Sequence, residues 1–265
     1  MNRRLILICN PGEGKNLVSH VPMILDRYKN YFQSPVGGYW QDHEICEMPQ
    51  DYEKELQVTW LKTQINDCNS NSVDYSLFVF VGHGGAFLNG EFIQLSKGAL
   101  FPLKEIHNNS IDQEPVSIKR LIIIDACRDF HPIPSSILIQ EQRLFSRGDQ
   151  IQGEFCKELY NKTISEAKPH IEMIQSTQYG AEAGATTTGS VFSDAFFKVL
   201  NDKILLWNTT ALWNSCGQLV KNLNDIFSPI KDEMGNYHQV PQYRTNDTTS
   251  LFPIYAVWRP IEKRL

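Results

Sequence analysis

Leu121-Ile122-Ile123-Ile124-Asp125-Ala126-Cys127-Arg128 is an apolar run that ends in an acid, a small residue and a cysteine. Without polar alternation, such a run reads as a strand buried on both faces, as in the interior of a parallel sheet. A second run, Leu77-Phe78-Val79-Phe80-Val81, gives way to Gly82-His83-Gly84-Gly85. Two buried strands thus deliver a histidine and then a cysteine at their carboxyl ends, the edge where ligands collect in open α/β sheets. A thiol within reach of an imidazole is a nucleophile and its base.

Outward from these strands, the pattern alternates strand and helix. Arg4 to Cys9 predicts a first strand closed by Asn10-Pro11-Gly12, and Leu17 to Phe32 carries apolar residues at helical spacing. Val36 to Trp40 predicts a short second strand and Glu53 to Ile65 a helix, before the strand Tyr75–Val81. A hairpin is expected around Asn89-Gly90, a favoured two-residue turn. After the strand Lys119–Asp125 come a helix within Glu154–Ala167 and a third buried strand, Ile171–Ser176. Helices at Phe192–Leu200 and Ala211–Phe227 and a final strand at Leu251–Trp258 complete the reading. Strands separated by helices imply an α/β fold, a mainly parallel sheet covered on both faces. With no internal repeat, a single domain over residues 1–265 is expected.

Composition sets the class. Of 265 residues, 42% are hydrophobic and 21% charged, enough for a sizeable core. A formal net charge of −5 argues against nucleic acid or an anionic membrane as partner. No apolar stretch reaches the roughly 20 residues that span a bilayer, and the apolar start is too short for a signal peptide. The six cysteines form no CxxC pair, so reduced thiols in a cytoplasmic protein are expected rather than disulfides or a zinc site. Asn10-Pro11-Gly12-Glu13-Gly14-Lys15 lacks the spacing of a nucleotide loop and reads as a plain turn.

The thiolate is the attacking species, and an imidazole can take the proton and return it to the leaving amine. His83 sits between glycines that expose the ring and leave backbone N–H groups unobstructed. The N–H of Gly84, with that of Cys127, can stabilise a tetrahedral oxyanion, a contribution of roughly 3–4 kcal/mol. Free cysteines are commonly inert; the two residues in this order, each behind an apolar strand, carry the argument together.

The segments Phe80-Val81-Gly82-His83-Gly84-Gly85 and Ile123-Ile124-Asp125-Ala126-Cys127-Arg128 resemble the catalytic motifs of the caspase-like superfamily of cysteine peptidases. Gln175 to Ala183 is similar to the strand and loop that follow in paracaspases and in metacaspase-like bacterial caspase homologues, and Gly189 to Phe196 to the next helix. The resemblance implies a caspase-like fold with about six central strands, mainly parallel with an antiparallel edge strand. It also implies a large-subunit-like portion near 1–150 and a small-subunit-like portion near 165–265.

The implied activity is a thiol protease, a cysteine-type endopeptidase with His83 and Cys127 as the dyad and Gly84 as oxyanion donor. Asp125 falls where metacaspases and paracaspases place an aspartate that binds a basic P1 side chain, which suits a guanidinium. Glu182 matches a paracaspase acid lining the same pocket. Ser176, Thr177 and Gln178 fall on the edge that pairs with an extended substrate. The resemblance also implies a further pocket acid between the first strand and its helix, which has no clear counterpart here; Glu13 is the only acid in that segment. Arg143, Arg147, Lys157, Lys162 and Lys168 are candidate self-processing sites. The partners implied are a protein or peptide substrate and an activating protease or regulatory partner. No cofactor is required, and no dense acidic loop points to calcium. The alternatives are a catalytically silent scaffold and a peptidase that prefers Asp or Asn at P1.

Overall fold

The computed structural model describes residues 1–12, 20–70, 72–87, 90–95, 98–107, 117–126, 150–177, 190–206, 211–213, 216–227 and 239–257. Its centre is a six-stranded sheet built from β1 (Arg3–Asn10), β2 (Ile45–Glu47), β3 (Tyr75–Gly82), β7 (Arg120–Ala126), β8 (Ile171–Gln175) and β10 (Gln242–Thr245), in the order β10-β8-β7-β3-β1-β2. All neighbours are parallel except β10, which runs antiparallel to β8 at the edge. This is the caspase-like arrangement expected, and its parallel strands are connected through helices.

The apolar runs explain the layers. Along β7, Leu121 and Ile123 enter one core and Ile122, Ile124 and Ala126 the other, so neither face is left to solvent. The first core receives α1 (Val21–Gln33), α4 (Gln150–Glu166), α5 (Val191–Leu206) and α6 (Cys216–Phe227) through residues such as Tyr28, Tyr160, Phe196 and Leu219. The second receives α2 (Lys54–Asn69) and the short α3 (Leu103–Ile106), with Leu61, Ile65 and Ile106. Over the carboxyl end of β3 stands a small antiparallel sheet of β4 (Gly84–Phe87), β5 (Gly90–Gln94) and β6 (Leu100–Pro102). Phe87 pairs with Gly90, so β4 and β5 form the hairpin expected around Asn89-Gly90.

Several local expectations are corrected. The second strand lies at Ile45–Glu47, not at Val36–Trp40. Ser34 closes a turn there by donating its hydroxyl to the Tyr31 carbonyl (2.6 Å), and Gly38 and Tyr39 have φ of 102° and 53°, which no strand accommodates. The span 211–227 is not one helix but β9 (Ala211–Trp213) followed by α6. The final strand is shorter than expected, β11 (Tyr255–Val257), and pairs with β9 in a separate two-stranded sheet. Strand β8 is interior, flanked by β7 and β10 as far as Gln175, so only residues beyond it remain for an added substrate strand. Lys157 and Lys162 lie within α4, whose helical backbone cannot be threaded as an extended substrate.

Candidate active site

The register of the central strands brings the two motifs together. Gly82 at the end of β3 pairs with Ala126 at the end of β7. The next residues in the chain are His83 and Cys127. His83 is half-buried between β3 and β4. Cys127, Gln178, Glu182 and Glu13 lie outside the described residues.

Glycine is required at the start of this junction and closely packed at its end. Gly82 has a φ of 148°, and a Cβ there would lie 2.5 Å from the Asn10 carbonyl oxygen of β1. A Cβ on Gly84 would lie 3.1 Å from the Ala126 Cβ, so the chain after His83 packs directly against the end of β7. Asn10 ties the same corner down. Its Oδ1 accepts from the Gly12 N–H (2.9 Å), and its Nδ2 donates to the Gln94 carbonyl (2.8 Å). The plain turn read at Asn10-Pro11-Gly12 therefore also anchors the hairpin beside His83, which its sequence does not announce.

The hairpin ladder orients Gly84. Gln94 donates its N–H to the His83 carbonyl (2.8 Å), which places the Gly84–Ile93 pair at a non-hydrogen-bonded position. The Gly84 N–H consequently points away from β5, on the outer side of the end strand. The hairpin ladder therefore does not use this N–H.

Ser176 acts on the backbone that leads to Cys127. Its hydroxyl accepts from the Ala126 N–H (3.2 Å) and donates to the Ala126 carbonyl (3.1 Å). The Ser176 N–H donates to the Ile124 carbonyl (2.8 Å), and its carbonyl accepts from Gln239 Nε2 (2.7 Å). Each polar group of this buried serine is engaged within the protein, whereas the sequence placed it among substrate contacts. Gln239 was not anticipated, because a glutamine before a strand carries no signal of its partner. Thr177 follows, largely buried, and lines a pocket with Gly84, Ala126 and Gln175.

Asp125 points to the other face of the sheet and is fully buried. The Ser190 hydroxyl lies 2.7 and 2.8 Å from its two oxygens, and the Tyr28 hydroxyl 3.3 Å from one of them. Burial pushes its carboxyl up to about 7, opposed by the hydrogen bonds from Ser190 and Tyr28 and by the charge of Arg27. Arg27 itself pairs with Asp194 at 2.7 Å. Ser190 also accepts from the Ser193 N–H (2.8 Å) at the start of α5, so one hydroxyl fixes both the helix and the acid. The sequence singled out Asp125 but neither Ser190 nor Tyr28, which reach it from elements distant in the chain.

Four of the other thiols are poor nucleophiles. Burial pushes Cys9 up to about 12, Cys68 up to about 11, and Cys46 and Cys216 upward as well. Among the described residues no group of three or more His, Cys, Asp or Glu side chains is placed to hold a metal ion. Nor is any helix among them long and apolar enough to cross a membrane.

A mainly parallel six-stranded sheet whose neighbouring strands β3 and β7 end one residue before His83 and one residue before Cys127 in the sequence is the caspase-like arrangement. The family model described as the Caspase domain matches residues 43–253, and the chain belongs to that family of cysteine peptidases. Caspase-1 from Spodoptera frugiperda shares the fold, with a TM-score of 0.51 and 14% identity over 100% of this chain and 92% of that one. So does protein GSU0716 from Geobacter sulfurreducens, with a TM-score of 0.51 and 12% identity over 92% of this chain and 93% of that one. No curated protein matches the sequence.

Proposed function

We propose that the protein is a cysteine endopeptidase that cleaves after arginine or lysine. Cys127 attacks the scissile carbonyl, and His83 first accepts the thiol proton and then delivers a proton to the leaving amine. The Gly84 N–H stabilises the oxyanion, and water releases the acyl group from the resulting thioester. Ser176 holds the backbone before the nucleophile, while Thr177, Gln178 and the chain beyond pair with the extended substrate. The reaction needs no cofactor. The cytoplasm is the compartment proposed, where the thiols stay reduced.

Asp125, with Glu182, receives the basic P1 side chain. The observation that carries this reading is a fully buried carboxylate beside the nucleophile's strand end, donated to by hydroxyls and raised to about 7. A guanidinium arriving at such an acid adds to the partial opposite charge that Arg27, itself paired with Asp194, provides, and pairs with it bidentately. Perturbed acids of this kind mark functional sites.

Matched fluorogenic peptides with Arg, Lys, Asp or Asn at P1 test the proposal on the full chain beside Cys127→Ala. Turnover after Arg and Lys that vanishes in the variant is expected. Turnover after Asp or Asn instead overturns the role of Asp125, and equal turnover by both proteins overturns Cys127.

A further inference from the structure

Two consecutive residues at the carboxyl end of β8 reach opposite halves of the site. Ser176 holds Ala126, the last residue of β7, through its hydroxyl. Gln175, just before it, donates its Nε2 to Glu91 Oε1 (3.0 Å) on β5, the strand that pairs with β4 behind His83. Side-chain alternation explains the reach. Met173 and Ile124, the register partner of Gln175, face the second core, so Gln175 lies on the side of the sheet where the hairpin stands. On β5, Glu91 shares a face with Ile93, which is buried in that same core.

We propose that Gln175 and Glu91 are positioning residues: their hydrogen bond fixes the histidine hairpin to the same strand end that holds Ala126, so β8 sets the spacing between the two halves of the dyad. The proposal rests on the Cys127–His83 peptidase reading. Arg244 supports the bond from β10. Its Nη1 donates to the second oxygen of Glu91, Oε2, at 2.8 Å and so keeps Oε1 turned to Gln175.

The arrangement suits placement better than stability. The side chains of Arg244 and Glu91 are 36% and 21% exposed, and an ion pair open to water adds little to folding. The hairpin is attached to the body separately, by Asn10 at the Gln94 carbonyl and by Ile93 in the core. Cutting the Gln175–Glu91 bond therefore keeps the fold and lets the hairpin shift against β7. A misplacement of about 1 Å between reacting groups can cost about 100-fold in rate. Asp125 faces the opposite side of the sheet, with Ile123 and Ser190, so P1 preference is insulated from the hairpin.

The test compares the full wild-type chain with Gln175→Ala, Glu91→Ala, Glu91→Gln and the double alanine variant on matched Arg and Lys peptides. Alkylation of Cys127 by iodoacetamide, measured against a Cys127→Ala background, reads the dyad without peptide binding. Each alanine variant should lower kcat about 10-fold with KM within about twofold, and should slow alkylation. The denaturant midpoint and the Arg-to-Lys ratio should stay near wild type. The double variant should be no worse than either single one, because all three remove the same bond. Glu91→Gln keeps an oxygen that accepts from Gln175 and should retain kcat within about threefold. If Gln175→Ala fails to fold, the two Glu91 variants carry the comparison. Folded alanine variants with kcat within about twofold of wild type, a loss carried by KM, a loss that tracks the denaturant midpoint, or Glu91→Gln as impaired as Glu91→Ala overturns the positioning role and leaves the peptidase intact. Absence of Cys127-dependent cleavage by the wild-type chain overturns the peptidase reading and the positioning role with it.

Discussion

The two ends of the central sheet treat buried charge differently. At the amino ends of the strands, Arg3, Arg120 and Glu172 are buried and fully engaged. Arg3 forks onto Glu44 at 2.9 and 3.0 Å and donates to the Gly38 carbonyl at 3.0 Å. Arg120 donates to Ser76 and Asn69, both at 2.9 Å, and to the Ile106 carbonyl. Glu172 accepts from the Phe252 N–H and from Tyr243 (3.1 Å) and lies 3.0 Å from His170 Nε2. At the carboxyl end, the buried acid Asp125 has hydroxyl donors, and burial pushes it up to about 7. At the amino ends each of these charges has at least three hydrogen-bonding partners within the fold, and Arg3 has an opposite charge as well; Asp125 has two hydroxyls. On the function proposed above, the acid beside the nucleophile's strand end takes a further cation from the substrate.

That contrast is broken most directly by neutralising one acid at each end. Glu172→Ala leaves His170, the Phe252 N–H and Tyr243 without their shared acceptor, and should cost about 3–5 kcal/mol in denaturant unfolding. Asp125→Asn should behave in the opposite way. An acid whose folded value is raised contributes stability that is full below its unfolded value and is lost as pH rises through the folded one. Wild-type stability should therefore fall between about pH 4 and pH 7 by up to about 4 kcal/mol relative to the variant. Equal, pH-independent losses for both variants would erase the distinction between the two ends.

A smaller effect sharpens the account of the nucleophile's approach. Ser176→Ala removes the hydroxyl that bridges both polar groups of Ala126, leaving a buried N–H unpaired at about 1–3 kcal/mol. Because Ser176 positions backbone and does not touch substrate in this account, kcat should fall with little change in KM. A rise in KM alone would return Ser176 to the substrate contacts.

The strongest parts of this architecture were legible because single runs of sequence encode them. Leu121–Ile124 and Leu77–Val81 are apolar on both faces, so parallel burial and the edge that carries His83 followed directly. What depended on pairing across the chain was not legible. Gln242–Thr245 has alternately placed polar side chains and becomes a strand only because β8 offers it an edge. Residues 36–40 have strand-like composition, yet Ser34 and the left-handed Gly38 and Tyr39 fold them into a turn. Asp125 was visible from its place two residues before Cys127. The groups that set its chemistry, Tyr28 and Ser190, come from α1 and from the entry to α5, and no local pattern links them.

The central claim is that Asp125 awaits a cationic P1 side chain. The direct measurement is the ratio of kcat/KM for matched Arg and Asn peptides between pH 5.5 and 8.5, for wild type and Asp125→Asn, since the ratio cancels titration of the dyad. The ionised carboxylate binds the guanidinium, so the wild-type ratio should climb up to about 10-fold per pH unit toward pH 7 and then level, while the variant stays low and flat. A wild-type ratio independent of pH, or a variant that keeps the preference for Arg, would contradict the account.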